Sequence, residues 1–521
     1  MSESVRPSGT YRTLAEQREV LTPAEERFEK ARQTIGLFLG PVVFFIMYLA
    51  PLPLEPNQQT LAAILSFTIV YWLSEAIPIP VTAILAMALC VLLNVAPVDD
   101  IFSTFGDSTL FVFIGAFIIA EAMTRHGLDR RFAFRVLSLP GVSRSTYGVI
   151  IAFGAIGASV SAFISNTATT AMLLPIGLGM MAALSGLITE QTGESDPTRL
   201  RFGTCLMLMI AYGASVGGLI TPIGSPPNLI GIGIIAEQTG TNISFFEWTV
   251  MALPIVIVMF VALCIVLILL NRPEINRIPG AGEYIARERS RLGPMSRGAR
   301  NTLIVFFVAV TLWILPGLVN LVLGDDSPIY AFLSERLDEG VVAIVAAALL
   351  FLLPVNWSER RFTLNWNEAV NIDWGTILLF GGGIVLGSLL SETGLAETIG
   401  EGMVNALGVS SLLAITVLSV VIAVLISETT SNTASAAVVV PIVIPIALAA
   451  NVNPVIPALA ATFGASYGFM LPVSTPPNAI VYGSGLIPIT KMVRSGIVFD
   501  IIGIVLVVAG VTVMAGLIGL A

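Results

Sequence analysis

Two copies of a Ser-Asn-Thr triplet carry the polar groups in this sequence that are best suited to bind a ligand. Their hydroxyl and amide groups can donate to a carboxylate or another oxyanion, and their oxygens can coordinate a hard cation such as Na⁺. Both copies lie deep in apolar sequence, where unpartnered polar groups are costly. A single copy would be explained by caps of a tight turn, but two copies favour a binding site. The residues are Ser165, Asn166, Thr167, Ser431, Asn432 and Thr433.

The duplication extends beyond the triplets. The segment 165–179 reads SNTATTAMLLPIGLG, and its counterpart at 431–445 reads SNTASAAVVVPIVIP. Farther along, TPIGSPPNLIGIG at 221–233 matches LPVSTPPNAIVYG at 471–483, with Pro-Pro-Asn in common. Proline interrupts a helix and frees backbone carbonyls, which can then coordinate cations. A polar tip and a broken helix, each present twice, are typical of secondary transporters built from an internal repeat.

The elements that must hold these motifs are membrane-spanning helices. The chain has 521 residues, of which 55% are hydrophobic and only 11% are charged, and its mean hydropathy is +0.91. Apolar runs of this length predict an all-α polytopic membrane protein. We expect eleven transmembrane helices, together with two re-entrant helical hairpins at 146–185 and 410–450 that carry the triplets. The predicted crossings lie near 35–53, 60–74, 80–96, 108–123, 203–236, 248–270, 301–323, 340–354, 374–391, 456–487 and 496–519.

Positive charges predict the orientation. With the N-terminus cytoplasmic and the C-terminus outside, 24 of the 25 Lys and Arg residues fall in cytoplasmic segments, and only Arg336 does not. The segment at 113–128 also resembles 380–395, and an odd number of crossings separates the two, so the halves form inverted-topology repeats. The charges leave open whether each hairpin is re-entrant or reaches the far surface. An arm of about 18–20 residues could nearly cross a core of ~30 Å.

Other classes of site are disfavoured by composition. The single histidine, His126, lies among charged residues, and the three cysteines lie in apolar stretches without ligand-like spacing. An enzyme active site, an organic cofactor and a nucleic-acid partner are therefore not expected. Acids within apolar sequence are few: Glu75, Glu121, Asp373 and Glu428. The counterpart of Glu428 in the first half is Ala162, which favours a cap or a local hydrogen bond at Glu428 over a duplicated proton relay.

At these motifs the chain resembles the divalent anion/sodium symporter family, the dicarboxylate, citrate and sulfate carriers related to the INDY proteins. The resemblance covers nearly everything after about residue 35. Both triplets match, and so does the signature near the second broken helix, at Ser466, Phe469, Pro472, Val473, Ser474, Asn478, Ile480 and Val481. The resemblance implies an eleven-helix protomer with two re-entrant hairpins, assembled as a homodimer, in which a transport domain moves as an elevator.

The resemblance also implies the roles of individual residues. One Na⁺ would be held by Ser161, Ser165, Asn166 and the backbone of Gly224. A second Na⁺ would be held by Ser427, Thr430, Asn432 and the backbone of Ser474. The substrate carboxylates would contact both triplets, with Ser225 and Thr475 nearby.

The distribution of basic residues favours sodium symport among the modes known in this family. No Lys, Arg or His occurs at 145–198, 202–271 or 362–490, so no basic side chain replaces a cation site or pairs with a dianion there. We therefore expect Na⁺-coupled uptake of a C4-dicarboxylate such as succinate. A sulfate or citrate symporter and a sodium-independent dicarboxylate exchanger are the alternatives. A Na⁺/H⁺ antiporter is disfavoured because the duplicated acids it needs are missing.

The expected organisation has four parts. A cytoplasmic tail (1–33) precedes a first half (34–271) with the inner hairpin and a broken helix at 203–236. A basic cytoplasmic loop (272–300) then leads to a second half (301–521) with the outer hairpin and a broken helix at 456–487. The expected partners are a dianionic small molecule, membrane lipid and a second copy of the chain in the plasma (inner) membrane.

Overall fold

The computed structural model describes residues 23–192, 200–277, 280–324, 326–408 and 410–520. Within these ranges the chain is almost entirely helical, with one short antiparallel pair of strands, β1 (Pro354–Asn356) and β2 (Arg361–Phe362). Most of the predicted tail, residues 1–22, lies outside the described residues. The helix that begins at Pro23 continues through Pro41 into the first apolar segment and ends at Leu49.

The first half consists of apolar helices interrupted by two shorter helices, at Val98–Ser103 and Leu128–Leu137. In chain order the helices of this half are α1 (Pro23–Leu49), α2 (Pro56–Ser74), α3 (Ile79–Leu92), α4 (Val98–Ser103), α5 (Ser108–Arg125), α6 (Leu128–Leu137), α7 (Thr146–Ser161), α8 (Asn166–Thr192), α9 (Arg201–Gly217), α10 (Pro226–Thr239) and α11 (Phe245–Leu270). Short 3₁₀ turns precede α5 and α7.

The rest of the chain begins with the basic segment at 272–300, which contains α12 (Ala281–Arg291), and continues through the second half. Its helices are α12 (Ala281–Arg291), α13 (Arg297–Leu323), α14 (Pro328–Arg336), α15 (Glu339–Leu352), α16 (Trp366–Ala369), α17 (Trp374–Glu392), α18 (Leu395–Leu407), α19 (Leu412–Thr429), α20 (Asn432–Ala449), α21 (Val455–Ala465), α22 (Pro476–Tyr482) and α23 (Ile489–Leu517). Each predicted crossing coincides with one of these helices or with a broken pair. Among the described residues, eight helices are long and apolar enough to cross a membrane, and five shorter helices are also apolar. The all-α class of the prediction is confirmed, while the number of crossings stays a prediction.

Four helix pairs matter for the site. We call α7 with α8 the first hairpin and α19 with α20 the second hairpin. The first broken helix is α9 with α10, and the second broken helix is α21 with α22. The Ser-Asn-Thr triplets lie at the turns of the hairpins, and we call them the first tip and the second tip.

Small residues allow the first hairpin to lie directly against the first broken helix. A Cβ on Gly217 would come within 2.1–2.5 Å of backbone atoms of Ala158, and a Cβ on Gly213 would come within 2.9 Å of the Gly154 carbonyl oxygen. Any larger side chain would separate the two elements, as in the close helix packing that small residues permit in membranes. The same device joins α5 to α15, where a Cβ on Gly115 would meet the backbone of Ala343 at 2.5 Å.

Candidate functional site

Both tips and both Pro-Pro-Asn segments line a single central cavity of about 160 Å³. The duplicated motifs are separated by roughly half of the chain, yet the fold places them around one space. All eight residues predicted to contact the substrate line it: Ser165, Asn166, Thr167, Ser225, Ser431, Asn432, Thr433 and Thr475.

Four helices begin at the wall of this cavity. Their first residues are Asn166, Pro226, Asn432 and Pro476, one from each hairpin and one from each broken helix. The aligned peptide dipoles give each of these ends a partial positive charge. The first turns of α8 and α20 also have backbone N–H groups without partners inside the helix, whereas α10 and α22 each begin with two prolines, which have no N–H. The cavity therefore offers donors and positive potential without a basic side chain. Such an environment suits an anion.

Hydroxyl groups cap three of these helices. Ser165 Oγ accepts from the N–H of Ala168 at 3.3 Å, and Ser431 Oγ accepts from the N–H of Ala434 at 3.2 Å. Thr475 Oγ1 likewise accepts from the N–H of Asn478 at 3.3 Å. The triplet serines therefore do act as caps, which is the role expected of a single copy of the motif. Each hydroxyl accepts in these bonds, so its own proton remains available. Because the same residues line the cavity, that proton can be donated to a ligand.

Behind each tip, a buried serine fixes the asparagine of the triplet. Ser161 Oγ donates to Asn166 Oδ1 at 2.5 Å, and Ser427 Oγ donates to Asn432 Oδ1 at 2.7 Å. Both serines are fully buried. The two pairs occupy equivalent positions in the two repeats, so each asparagine side chain is held in a defined orientation beside the cavity.

Glycines make room for oxygen atoms next to these pairs. A Cβ on Gly218 would lie 2.4 Å from Asn166 Oδ1, and a Cβ on its counterpart Gly468 would lie 3.2 Å from both Asn432 Oδ1 and Ser427 Oγ. Near Gly224, the carbonyl oxygens of residues 161, 162 and 218 all come within 2.6–2.9 Å of such an added carbon. Converging backbone and side-chain oxygens of this kind are the ligands that hard cations prefer.

The shared asparagines Asn228 and Asn478 brace the breaks in the two broken helices. Asn228 Nδ2 donates to the carbonyls of Gly218 and Thr221, both at 2.8 Å. Asn478 Nδ2 donates to the equivalent carbonyls, of Gly468 at 2.8 Å and of Leu471 at 3.0 Å. Both side chains are fully buried, and the Oδ1 atom of each is buried without a hydrogen-bond partner. The same acceptor is thus unpaired in both repeats, at equivalent positions.

The two repeats differ at Glu428. Its carboxylate accepts from the backbone N–H groups of Phe469 and Met470, the latter at 2.8 Å, and from Ser474 Oγ at 2.7 Å. In the first repeat the equivalent position is Ala162, whose carbonyl accepts from Thr221 Oγ1. A hydrogen-bonding role was expected at Glu428, but its partners lie 41–46 positions away in the chain and not locally. The carboxylate secures the loop of the second broken helix directly behind the second tip.

The residues predicted to hold Na⁺ fall into two groups. Ser165, Asn166, Gly224, Asn432 and Ser474 line the cavity. Ser161, Ser427 and Thr430 are buried behind it, where the first two bind the asparagines and Thr430 Oγ1 donates to the Ile426 carbonyl at 2.8 Å. The sets therefore lie together, one beside each tip.

Sequence reasoning did not assign several other residues of the cavity wall. Glu121 and Thr124 come from α5, and Asn371 and Asp373 come from the segment before α17. Asp373 caps α17 by accepting from the N–H and hydroxyl of Thr376 at 3.2 and 2.7 Å. Glu121 and Asp373 had been noted as rare acids in apolar sequence, and that rarity was the available signal. No Lys, Arg or His is among the described residues that line the cavity.

Comparisons with known proteins identify what this chain is similar to. The model of the family described as "Sodium:sulfate symporter transmembrane region" matches residues 31–519. A sodium-dependent dicarboxylate transporter, SdcS, from Staphylococcus saprophyticus is 34% identical over 491 residues, which cover 93% of this chain and 92% of that protein. SdcS from Staphylococcus aureus strain USA300 is 32% identical over 482 residues, covering 92% and 90%. The crystal structure of the YdaH transporter from Alcanivorax borkumensis covers 94% of this chain and 98% of its own, with 13% identity and a TM-score of 0.49.

Proposed function

The chain belongs to the sodium:sulfate symporter family, and from that membership we propose that this integral membrane protein carries a C4-dicarboxylate such as succinate into the cell together with Na⁺. The two staphylococcal relatives described above are named sodium-dependent dicarboxylate transporters. The protein is a carrier and not an enzyme.

The observation that carries the proposal is the central cavity at which four helix N-termini meet. A linear dianion has two negative ends, and the cavity has two tips, each with hydroxyl, amide and backbone donors. We assign one carboxylate to the first tip with Ser225, and the other to the second tip with Thr475.

The coupling ions follow from charge. Because no basic side chain lines the described cavity, the helix dipoles would have to hold a dianion alone. Na⁺ bound beside each tip would offset this charge at short range. We assign one ion to Ser161, Ser165, Asn166 and the Gly224 backbone, and the other to Ser427, Thr430, Asn432 and the Ser474 backbone. The oxygens that converge around Gly224 and beside Asn432 support that assignment.

The conformational part of the proposal rests on the family. We assign both hairpins and both broken helices to a transport domain that moves as an elevator against the remaining helices, in a homodimer with a cytoplasmic N-terminus. The acids Glu121 and Asp373 lie on the non-hairpin side of the cavity wall. They would contribute negative charge that favours cation entry before the dianion.

The test is uptake of labelled succinate into proteoliposomes that contain the purified protein. We expect accumulation that requires an inward Na⁺ gradient and stops when Na⁺ is replaced by choline. Equal uptake without Na⁺ would refute symport and leave exchange as the mode of transport. Competition with sulfate, citrate, malate and fumarate on the same preparation ranks the substrates, and sulfate outcompeting succinate would overturn the dicarboxylate assignment.

A further inference from the structure

A second, larger crevice lies between the first hairpin and α13. Its volume is about 590 Å³, and its wall is formed by α5, α6, α7, α12 and α13. The aromatic pair Phe163 and Phe306 closes its inner end, with ring centroids 4.9 Å apart in an edge-to-face arrangement. Ile164, next to the first tip, lies in the wall of both the crevice and the central cavity.

Most of the crevice wall is apolar. The wall residues include Val160 and Phe163 from the first hairpin, and Leu303 and Phe307 from α13. Phe307 is 59% exposed, so the crevice opens onto an apolar surface of α13. On an integral membrane protein such a surface faces hydrocarbon. The volume falls in the range of pockets that bury a whole small molecule, about 300–1,000 Å³.

The other end of the crevice is basic. Arg135 on α6 and Arg289 on α12 line it and are exposed. None of the ion pairs found between described residues involves either arginine, since the nearby Glu288 pairs with Arg130 and Arg291 instead. Arg131 also lines the crevice, and its guanidinium donates to the carbonyls of residues 292–294 at 2.7–3.0 Å. These carbonyls fix its position without neutralising its charge.

One acid among the described residues of the wall opposes these charges. Asp129 is buried and accepts from the N–H of Arg130 at 2.7 Å. Burial raises the pKa of the Asp129 carboxyl to about 6. Three guanidinium groups therefore outweigh one carboxylate, and the basic end has a net positive charge.

We propose that an anionic phospholipid occupies this crevice, with an acyl chain between the first hairpin and α13 and its phosphate on Arg135 and Arg289. A basic pocket that continues into an apolar space between membrane helices recognises the two parts of such a lipid together. A soluble anion would leave the apolar wall empty, and a neutral lipid would leave the arginines unpaired. Through Ile164, the acyl chain supports the first tip from behind.

The binding test does not depend on transport. Purified full-length protein is titrated with phosphatidylglycerol or phosphatidylcholine, and binding is followed by native mass spectrometry and by the shift in melting temperature. We expect phosphatidylglycerol to bind and to raise the melting temperature, and phosphatidylcholine to do neither. The double variant Arg135→Gln/Arg289→Gln should bind phosphatidylglycerol about 30-fold more weakly, the effect of two charges near an anionic headgroup.

Two further variants separate this site from general charge effects. Arg360→Gln/Arg361→Gln removes two exposed arginines at the strand pair, outside the crevice, and should bind phosphatidylglycerol like the wild type. Ser159→Phe fills the crevice without changing charge and should also weaken binding. Undiminished binding by the Arg135→Gln/Arg289→Gln variant, an equal loss in the Arg360→Gln/Arg361→Gln control, or equal binding of phosphatidylcholine would each overturn the proposal.

Discussion

Replacing Gly224 by alanine tests the proposed first Na⁺ position with the smallest possible change. The added Cβ would lie 2.6 Å from the Gly218 carbonyl oxygen and 2.9 Å from those of Ser161 and Ala162. Ordinary contact begins at 3.4 Å, so these oxygens must recede by about 0.5–0.8 Å. All three are backbone atoms, and they cannot move away by changing a rotamer.

The magnitude follows from the cost of overpacking. Inserting one carbon into a packed interior costs about 1–3 kcal/mol. If the Gly224 backbone holds Na⁺, the crowding displaces it from its position beside Ser161, and that cost appears as a loss of Na⁺ affinity of about 5- to 150-fold. We therefore expect the Na⁺ concentration that gives half-maximal succinate uptake to rise by at least fivefold in Gly224→Ala, while uptake at saturating Na⁺ is partly retained.

The assay measures uptake against Na⁺ concentration in proteoliposomes, together with the Na⁺-induced shift in melting temperature. Gly383→Ala is the matched control, since Gly383 is buried in α17 and a Cβ there would meet no atom within 4 Å. The control should keep the wild-type Na⁺ dependence. A Gly224→Ala protein that folds and keeps its Na⁺ dependence within twofold would show that the Gly224 backbone does not hold the ion.

Three other predictions concern the same framework. Asn166→Ala and Asn432→Ala should each abolish Na⁺-dependent uptake with an unchanged elution volume in size-exclusion chromatography, and normal uptake by either would refute the tip assignment. Asn478→Ala leaves the carbonyls of Gly468 and Leu471 without their donor. Since each lost bond costs about 1–3 kcal/mol, the melting temperature of this variant should fall clearly below that of the wild type. An unchanged melting temperature would mean that water replaces the amide. Glu428→Gln replaces a carboxylate that accepts from two backbone N–H groups. It should therefore lower the melting temperature by more than Glu392→Gln, a control at an exposed glutamate. Equal shifts in melting temperature would contradict the bracing role of Glu428.

The sequence was most informative where polar residues interrupt apolar runs. The tips could be predicted because Ser165 and Ser431 begin duplicated motifs, and their clustering in one cavity follows from the inverted repeat that the crossings indicate. The start of the second helix in each break was readable from Pro226 and Pro476, since proline is favoured at the first helical position. The preceding helices end earlier, at Gly217 and Ala465. The buried partners of the tips came from the family resemblance alone.

The remaining parts of the site depend on contacts between elements far apart in the chain. Glu121 and Asp373 reach the cavity because α5 and α17 pack beside the hairpins, and no local pattern reports that packing. Glu428 is bound by the N–H groups of residues 469 and 470, about 40 positions away. The crevice behind Ile164 exists only where five helices meet. Spacing along a sequence describes one element at a time, so these features required the fold.

The described residues that line the central cavity include no basic side chain, and this has a consequence for the proposed movement of the carrier. If the site loaded only the dianion, or only the cations, a net charge would have to cross the apolar interior, at a cost of several kcal/mol for each uncompensated ion. With a dianion and the two proposed Na⁺ bound, the site would be close to neutral and would avoid that cost. A permanent lysine in the wall would have supplied the balancing charge without any cation and would have allowed the dianion to cross alone. In the proposed mechanism the charge of the dianion is balanced by bound Na⁺ and not by a fixed side chain, so electrostatics oppose the movement of either solute without the other. No separate gate is then needed to enforce the stoichiometry.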